Sequence, residues 1–168
     1  MTDKILYVLN LICEKEKTGK KKVQKLFYII ERKGFDLGLE YKMHFYGPYS
    51  SDLEHLIHYY ESNNFLSIDS CGSSHLIRVN RQKNKMFKNN PLSDNESNIV
   101  KSTLQLYEEK TPLELEVLTT TDYVFCNLIP DAGEKDKLTI KRVKEIKGNK
   151  FSDEQIADCI DEINRNLS

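Results

Sequence analysis

The 168-residue sequence has no tryptophan, almost no net charge and no long apolar run. Each absence excludes something. Twenty-five Lys and Arg stand against 26 Asp and Glu, a net charge of −1, and the isoelectric point is about 6.4. The whole chain therefore does not call for a polyanionic partner, since a domain dedicated to nucleic acid commonly has a pI above about 9. No apolar stretch approaches the roughly 20 residues of a spanning helix. The opening MTDKILYVLNLICEKEK is interrupted by Asp3, Lys4 and Glu14–Lys17 and has no small-residue cleavage site. A soluble cytoplasmic protein with no membrane contact is expected. Cys13, Cys71, Cys126 and Cys159 are far apart and form no C-x-x-C pair, so they read as buried small hydrophobes rather than a disulfide frame or zinc site. Also missing are G-x-S-x-G, P-loop, G-x-G-x-x-G and H-E-x-x-H patterns. No catalytic residue, metal ligand or cofactor is assigned, and the chain reads as a non-enzyme.

What is present is a strong pattern of short elements, with Leu, Ile, Val, Phe and Tyr to fill a core. Ile5, Leu6, Leu9, Ile12 and Cys13 recur at helical spacing and predict a helix over 3–17. Val23, Leu26, Phe27 and Ile30 predict a second from Lys21 to Lys33, stopped by Gly34. Leu39–Tyr46 alternates, with Leu39, Tyr41, Met43 and Phe45 on the inward face of a strand. Gly47-Pro48 is read as a break. Ser51 with Glu54 is read as a capping box for a third helix, with Leu53, Leu56, Ile57 and Tyr60 buried. Two short strands, Phe65–Asp69 and His75–Asn80, flank a turn. Helix, helix, strand, helix, strand, strand is the winged-helix order. The polar segment 81–91 reads as a linker. Capping boxes at Ser93/Glu96, Thr111/Glu114 (with Pro112 at the first helical position) and Ser152/Gln155 start three further helices. A basic helix spans Lys137–Lys147. On the helix begun by Pro112, the expected inner face is Leu113, Val117, Thr121, Val124 and Leu128. The expected fold is mainly α with a small β wing: a winged-helix-like unit, 1–80, and a helical C-terminal unit, 92–168, packed as one compact domain.

The near-zero total hides local charge. Glu14–Lys33 carries a net +5, Arg78–Asn90 +5, Pro91–Cys126 −5 and Tyr49–Asn64 −3. In a winged helix that reads DNA, the third helix enters the major groove and needs donors. Here it offers carboxylates, so that mode is disfavoured. Lys20, Lys21, Lys22, Lys25, Arg78, Arg81, Lys83 and Lys85 remain a candidate nucleic-acid-binding set, against the plainer reading of solvated lysine-rich faces. Tyr46, Tyr49, Asp52, His55 and Tyr59 form a candidate protein-binding set, because exposed tyrosines anchor interfaces. The alternative is that the tyrosines simply pack the strand–helix corner. His55-x-x-His58 has metal spacing but no evident third ligand, and reads as a wet helix face.

Two stretches carry a family resemblance: Val23-Gln24-Lys25-Leu26-Phe27-Tyr28-Ile29, and Phe45-Tyr46-Gly47-Pro48-Tyr49-Ser50 followed by Leu53. With Ile140–Lys147 and Phe151-Ser152, they resemble the YwgA-like family of bacterial and archaeal proteins, and more distantly the Panacea antitoxin domain of SocA- and GepA-like proteins. The first resemblance implies no catalytic residues, since that family has no established activity. The second implies a small domain that neutralises a toxin by binding it. A regulatory or antitoxin-like module that binds another protein is the leading expectation, with a DNA-binding regulator as its rival.

Overall fold

The computed structural model describes residues 2–14, 17–72, 74–80, 82, 89–130 and 133–167. Arg81, Lys83, Lys85 and most of the expected linker 81–91 lie outside them. In chain order the elements are α1 (Thr2–Ile12), β1 (Thr18–Gly19), α2 (Lys20–Arg32), β2 (Lys42–His44), β3 (Gly47–Tyr49), α3 (Ser51–Ser62), β4 (Leu66–Cys71), β5 (Ser74–Val79), α4 (Asp94–Tyr107), α5 (Pro112–Asn127), α6 (Lys135–Lys147), a 3-10 turn at Gly148–Lys150, and α7 (Asp153–Asn166). The protein is mainly helical with a small antiparallel sheet, as the sequence pattern indicates.

That sheet has the order β1-β5-β4, and β2 and β3 make a separate hairpin. β1 was not legible in the sequence. It is two residues long and exists because Thr18 and Gly19 pair with Ile77 and Leu76 of β5. Helix α1 accordingly ends at Ile12 rather than 17, and the Thr18 hydroxyl donates to the Ile12 carbonyl at 3.3 Å.

The expected strand Leu39–Tyr46 is shorter than its alternation suggests. The backbone N–H groups of Leu37 and Leu39 donate to Glu31 Oε1 at 2.8 and 3.1 Å, so a side chain meets them instead of a strand ladder. Only Lys42–His44 pairs, and its partner is Gly47–Tyr49, the segment read as a break. The chain reverses over Phe45-Tyr46, and Pro48 is tolerated because a two-stranded hairpin leaves one edge without a ladder. Phe45 is therefore at a turn, 75% exposed, not on an inward strand face.

Helix α3 begins one residue earlier than predicted. Ser50, not Ser51, is the N-cap, accepting from the Leu53 N–H at 3.3 Å. Leu53, Ile57 and Tyr60 are its buried stripe. The capping boxes at Ser93/Glu96, Thr111/Glu114 and Ser152/Gln155 are all present.

Helix α2 is the shared wall of two cores. Val23, Phe27 and Ile30 join α1, α3, β4 and β5 around Leu6, Leu53, Leu66 and Ile77. Leu26, Tyr28 and Ile29 join α5, α6 and α7 around Leu118, Val143 and Ile160. Each such side chain contributes about 1.5–3 kcal/mol by leaving water. Helix α5 departs furthest from its predicted face. It packs against α2, α6, α7 and β3, so every residue from Leu115 to Asp122 is buried. Leu113 and Leu128, expected inside, are 53% and 42% exposed at its two ends. Of the four cysteines, Cys13 and Cys159 are buried, whereas Cys71 and Cys126 are exposed, contrary to the expectation that all pack as small hydrophobes. No helix among the described residues is long and apolar enough to cross a membrane.

Candidate functional site

The site forms where α2 meets the β2–β3 hairpin, and two residues of α2 hold the hairpin's exit strand. The Gln24 side-chain amide pairs with the Ser50 backbone in both directions, accepting from its N–H and donating to its carbonyl, each at 3.0 Å. One position later, the Lys25 amine donates to the Pro48 carbonyl at 2.6 Å. Both side chains are almost fully buried. The two motif stretches singled out in the sequence are thus in direct hydrogen-bonded contact.

The hairpin is held from its other side by α5 and α6. Glu116, 5% exposed, accepts from Lys147 at 2.8 Å and from Lys150 at 2.8 and 2.9 Å. Lys147 also donates to the Phe45 carbonyl at 2.6 Å. Gly47 has a φ of +90°, and a side chain there would begin 2.7 Å from Thr120 Oγ1 and 3.6 Å from Lys25 Nζ. Only glycine fits, for both reasons. Thr120 is itself fully buried, and its hydroxyl has no hydrogen-bond partner among the described residues.

This packing sets the charges. Burial pulls the Lys25 amine down to about 7, with the neighbouring Glu116 opposing and Lys147 adding to the shift. Burial alone would raise Glu116, but the hydrogen bonds from Lys147 and Lys150 outweigh it and hold the carboxyl below its ordinary range. Burial and the adjacent Glu54 carboxylate hold the Tyr49 hydroxyl above its ordinary range.

Beside the hairpin lies a cleft of about 200 Å³, lined by Lys20, Lys21, Gln24, Lys25, His44, Tyr46, Gly47, Tyr49, Glu54 and His75. It brings together members of both candidate sets. Lys21 lies over the Tyr46 ring, 3.7 Å from its centroid, and His44 and Tyr49 are in ring contact at 5.3 Å. At the rim, Phe45 and Tyr46 meet edge to face at 5.0 Å.

The four lysines of α2 do not form one basic face. Lys20 is ion-paired with Glu54, Lys22 donates to the Glu108 carbonyl, Lys25 is buried, and Lys21 is the exposed one. Arg78 lies apart on β5, 3.4 Å from Asp69, which also takes Lys17 at 2.6 Å. Asp52, His55 and Tyr59 are exposed on the outer side of α3, away from the cleft lining. His58 contacts Glu54 and Glu61, at 3.0 and 3.5 Å. Among the described residues there is no cluster of three or more His, Cys, Asp or Glu able to hold a metal.

Sequence reasoning missed Phe45 as an exposed residue, and it missed Glu116, Thr120, Lys147 and Lys150 altogether. The run Thr119-Thr120-Thr121 was the available signal. Three β-branched residues are poor choices for a helix interior on propensity alone, which points to packing that needs small side chains there. Compared with known proteins, the chain matches no family model and no curated protein.

Proposed function

We propose that this chain is a non-catalytic, cytoplasmic regulatory module that binds another protein through the Phe45-Tyr46 hairpin tip, in the manner of an antitoxin-like domain. One observation carries the reading. Two large aromatic side chains are presented to solvent on a turn whose backbone is held by buried lysines. Rigid, exposed aromatics are the residues that dominate protein interfaces, because they bury much area while losing little conformational freedom. The arrangement also supports the winged-helix reading, with α1, β1, α2, α3, β4 and β5 as its elements and the β2–β3 hairpin inserted before α3. The contacts Gln24–Ser50 and Lys25–Pro48 support the resemblance to the YwgA-like family by giving its two motif stretches a joint structural role.

The test is recovery of partners from cells that express the chain naturally, with the tagged wild type and Phe45→Ala compared by quantitative mass spectrometry. A hot-spot aromatic is worth at least about 2 kcal/mol, so the variant should retain the partner roughly 30-fold less well. Equal recovery would show that this is the wrong surface.

The DNA-binding reading draws less support, since Lys20, Lys22 and Lys25 direct their charge inward and α3 presents Asp52. Its check is anisotropy of a sequence-neutral duplex at two salt concentrations, with a log–log slope of roughly −0.9 per neutralised phosphate.

A further inference from the structure

The cleft extends the protein-binding reading, on which this inference rests, to the chemistry of the partner. The charges around the hairpin that walls the cleft are unevenly matched. Lys25, Lys147 and Lys150 bring three amines to the base of the hairpin, and the oxygens of Glu116 are taken by Lys147 and Lys150 at 2.8 to 2.9 Å. Lys20 has its own carboxylate in Glu54. Among the described residues, the acceptor within hydrogen-bond distance of Lys25 is a neutral carbonyl, that of Pro48 at 2.6 Å. Lys25 is nonetheless only 3% exposed, and it lines the cleft. The carboxylate near enough to act on Lys25, Glu116, is shared with Lys147 and Lys150. A buried amine with so little counter-charge is costly to keep charged, and an anion placed beside it removes that cost. Lys21, exposed over Tyr46, adds a second amine at the rim.

We propose that the cleft is a carboxylate pocket, in which Lys25 below and Lys21 at the rim receive an aspartate or glutamate side chain of the partner protein docked on Phe45 and Tyr46. The lining favours a carboxylate over a phosphate. Among the described residues it contains no arginine, whose planar bidentate fork suits phosphate. The Glu54 carboxylate in the lining, paired with Lys20, repels a doubly charged phosphate more than a singly charged carboxylate. The aromatic walls, Tyr46 and Tyr49, and a volume of about 200 Å³ suit a short acidic side chain with its aliphatic stem.

The full wild-type chain, labelled with carbon-13 at lysine, tests this by NMR. Lys25 titrates near 7, apart from surface amines with ordinary values of about 10.4. Acetate, phosphate and chloride are added at matched ionic strength. A ligand that binds only the charged amine multiplies its proton affinity by 1 + [L]/Kd, about tenfold at nine times Kd. Acetate should raise the Lys25 midpoint, chloride should leave it in place, and the variant Lys21→Gln, at an exposed position, should weaken the acetate response. No response to acetate, or an equal response to chloride, overturns the pocket. A larger response to phosphate overturns the carboxylate assignment. Phe45 does not line the cleft, so the two readings separate. If Phe45→Ala loses the partner while acetate has no effect, the pocket alone falls. If acetate acts and partner recovery is unchanged, the protein-binding surface alone falls.

Discussion

At the scale of single residues, Gly47 is the tightest constraint in the site. Its positive φ excludes ordinary side chains, and Thr120 Oγ1 stands 2.7 Å from where a Cβ would sit. Gly47→Ala should therefore cost more than the about 1 kcal/mol of a strained backbone alone. We expect about 2–4 kcal/mol once overpacking against Thr120 is included, read as a fall in the urea midpoint. Because the clash is with a hydroxyl, Thr120→Ala in the same chain should recover part of the loss, whereas no recovery would place the strain in the backbone. Glycine followed by proline correctly suggested special backbone geometry. It did not reveal that the geometry is a strand, because the partner that makes it one, β2, is shortened by the Glu31 side chain.

Among the elements, α2 joins the two cores, and Gln24 is where it fastens the β3–α3 junction. Its amide satisfies both backbone groups of Ser50, which is 0% exposed. Gln24→Ala leaves a buried N–H unpaired and weakens the setting of the Ser50 cap. A buried unpaired group costs about 1–3 kcal/mol, so we expect a loss of about 2–3 kcal/mol. Hydrogen exchange should also quicken at Ser50 and in the first turn of α3, while the α7 amides are little changed. Uniform loss of protection would mean that the junction does not open separately. The element boundaries were largely readable from caps: Ser93, Thr111 and Ser152 each sit before the residue pattern that a capping box requires. Helix α5 was readable as a helix but not as a central one. Its hydrophobic pattern is weak because it is covered on nearly all sides, and its buried residues include Thr119, Thr120 and Thr121 as well as Leu115 and Leu118.

For the molecule as a whole, the buried charges at the hairpin base give stability a defined pH dependence. Lys25 is held near 7 in the folded chain and relaxes to about 10.4 when unfolded. Between those values the unfolded state binds more protons, so stability rises with pH from about 7 towards 10. Glu116 acts on the acid side. Its folded value lies below the ordinary one, so its contribution is complete above about 4.3 and is lost as pH falls through the folded value. Urea titrations should show the midpoint climbing between pH 7 and 9.5, and Lys25→Met should flatten that climb. A slope unchanged in the variant would assign it to other groups.

Periodicity, caps and charge counts were enough to determine a mainly helical chain with a small sheet, most element boundaries, and an acidic third helix. Those are local properties, set by neighbours three or four residues away. The tertiary structure alone decided that α2 serves two cores, that Lys20, Lys22 and Lys25 turn inward rather than forming a basic face, and that Phe45 is displayed instead of buried. It also placed Glu116, Lys147 and Lys150 against a hairpin some 70 to 105 positions away in the chain. The pairing of charges and the covering of α5 depend on which distant segments pack together, and a one-dimensional pattern does not record that choice.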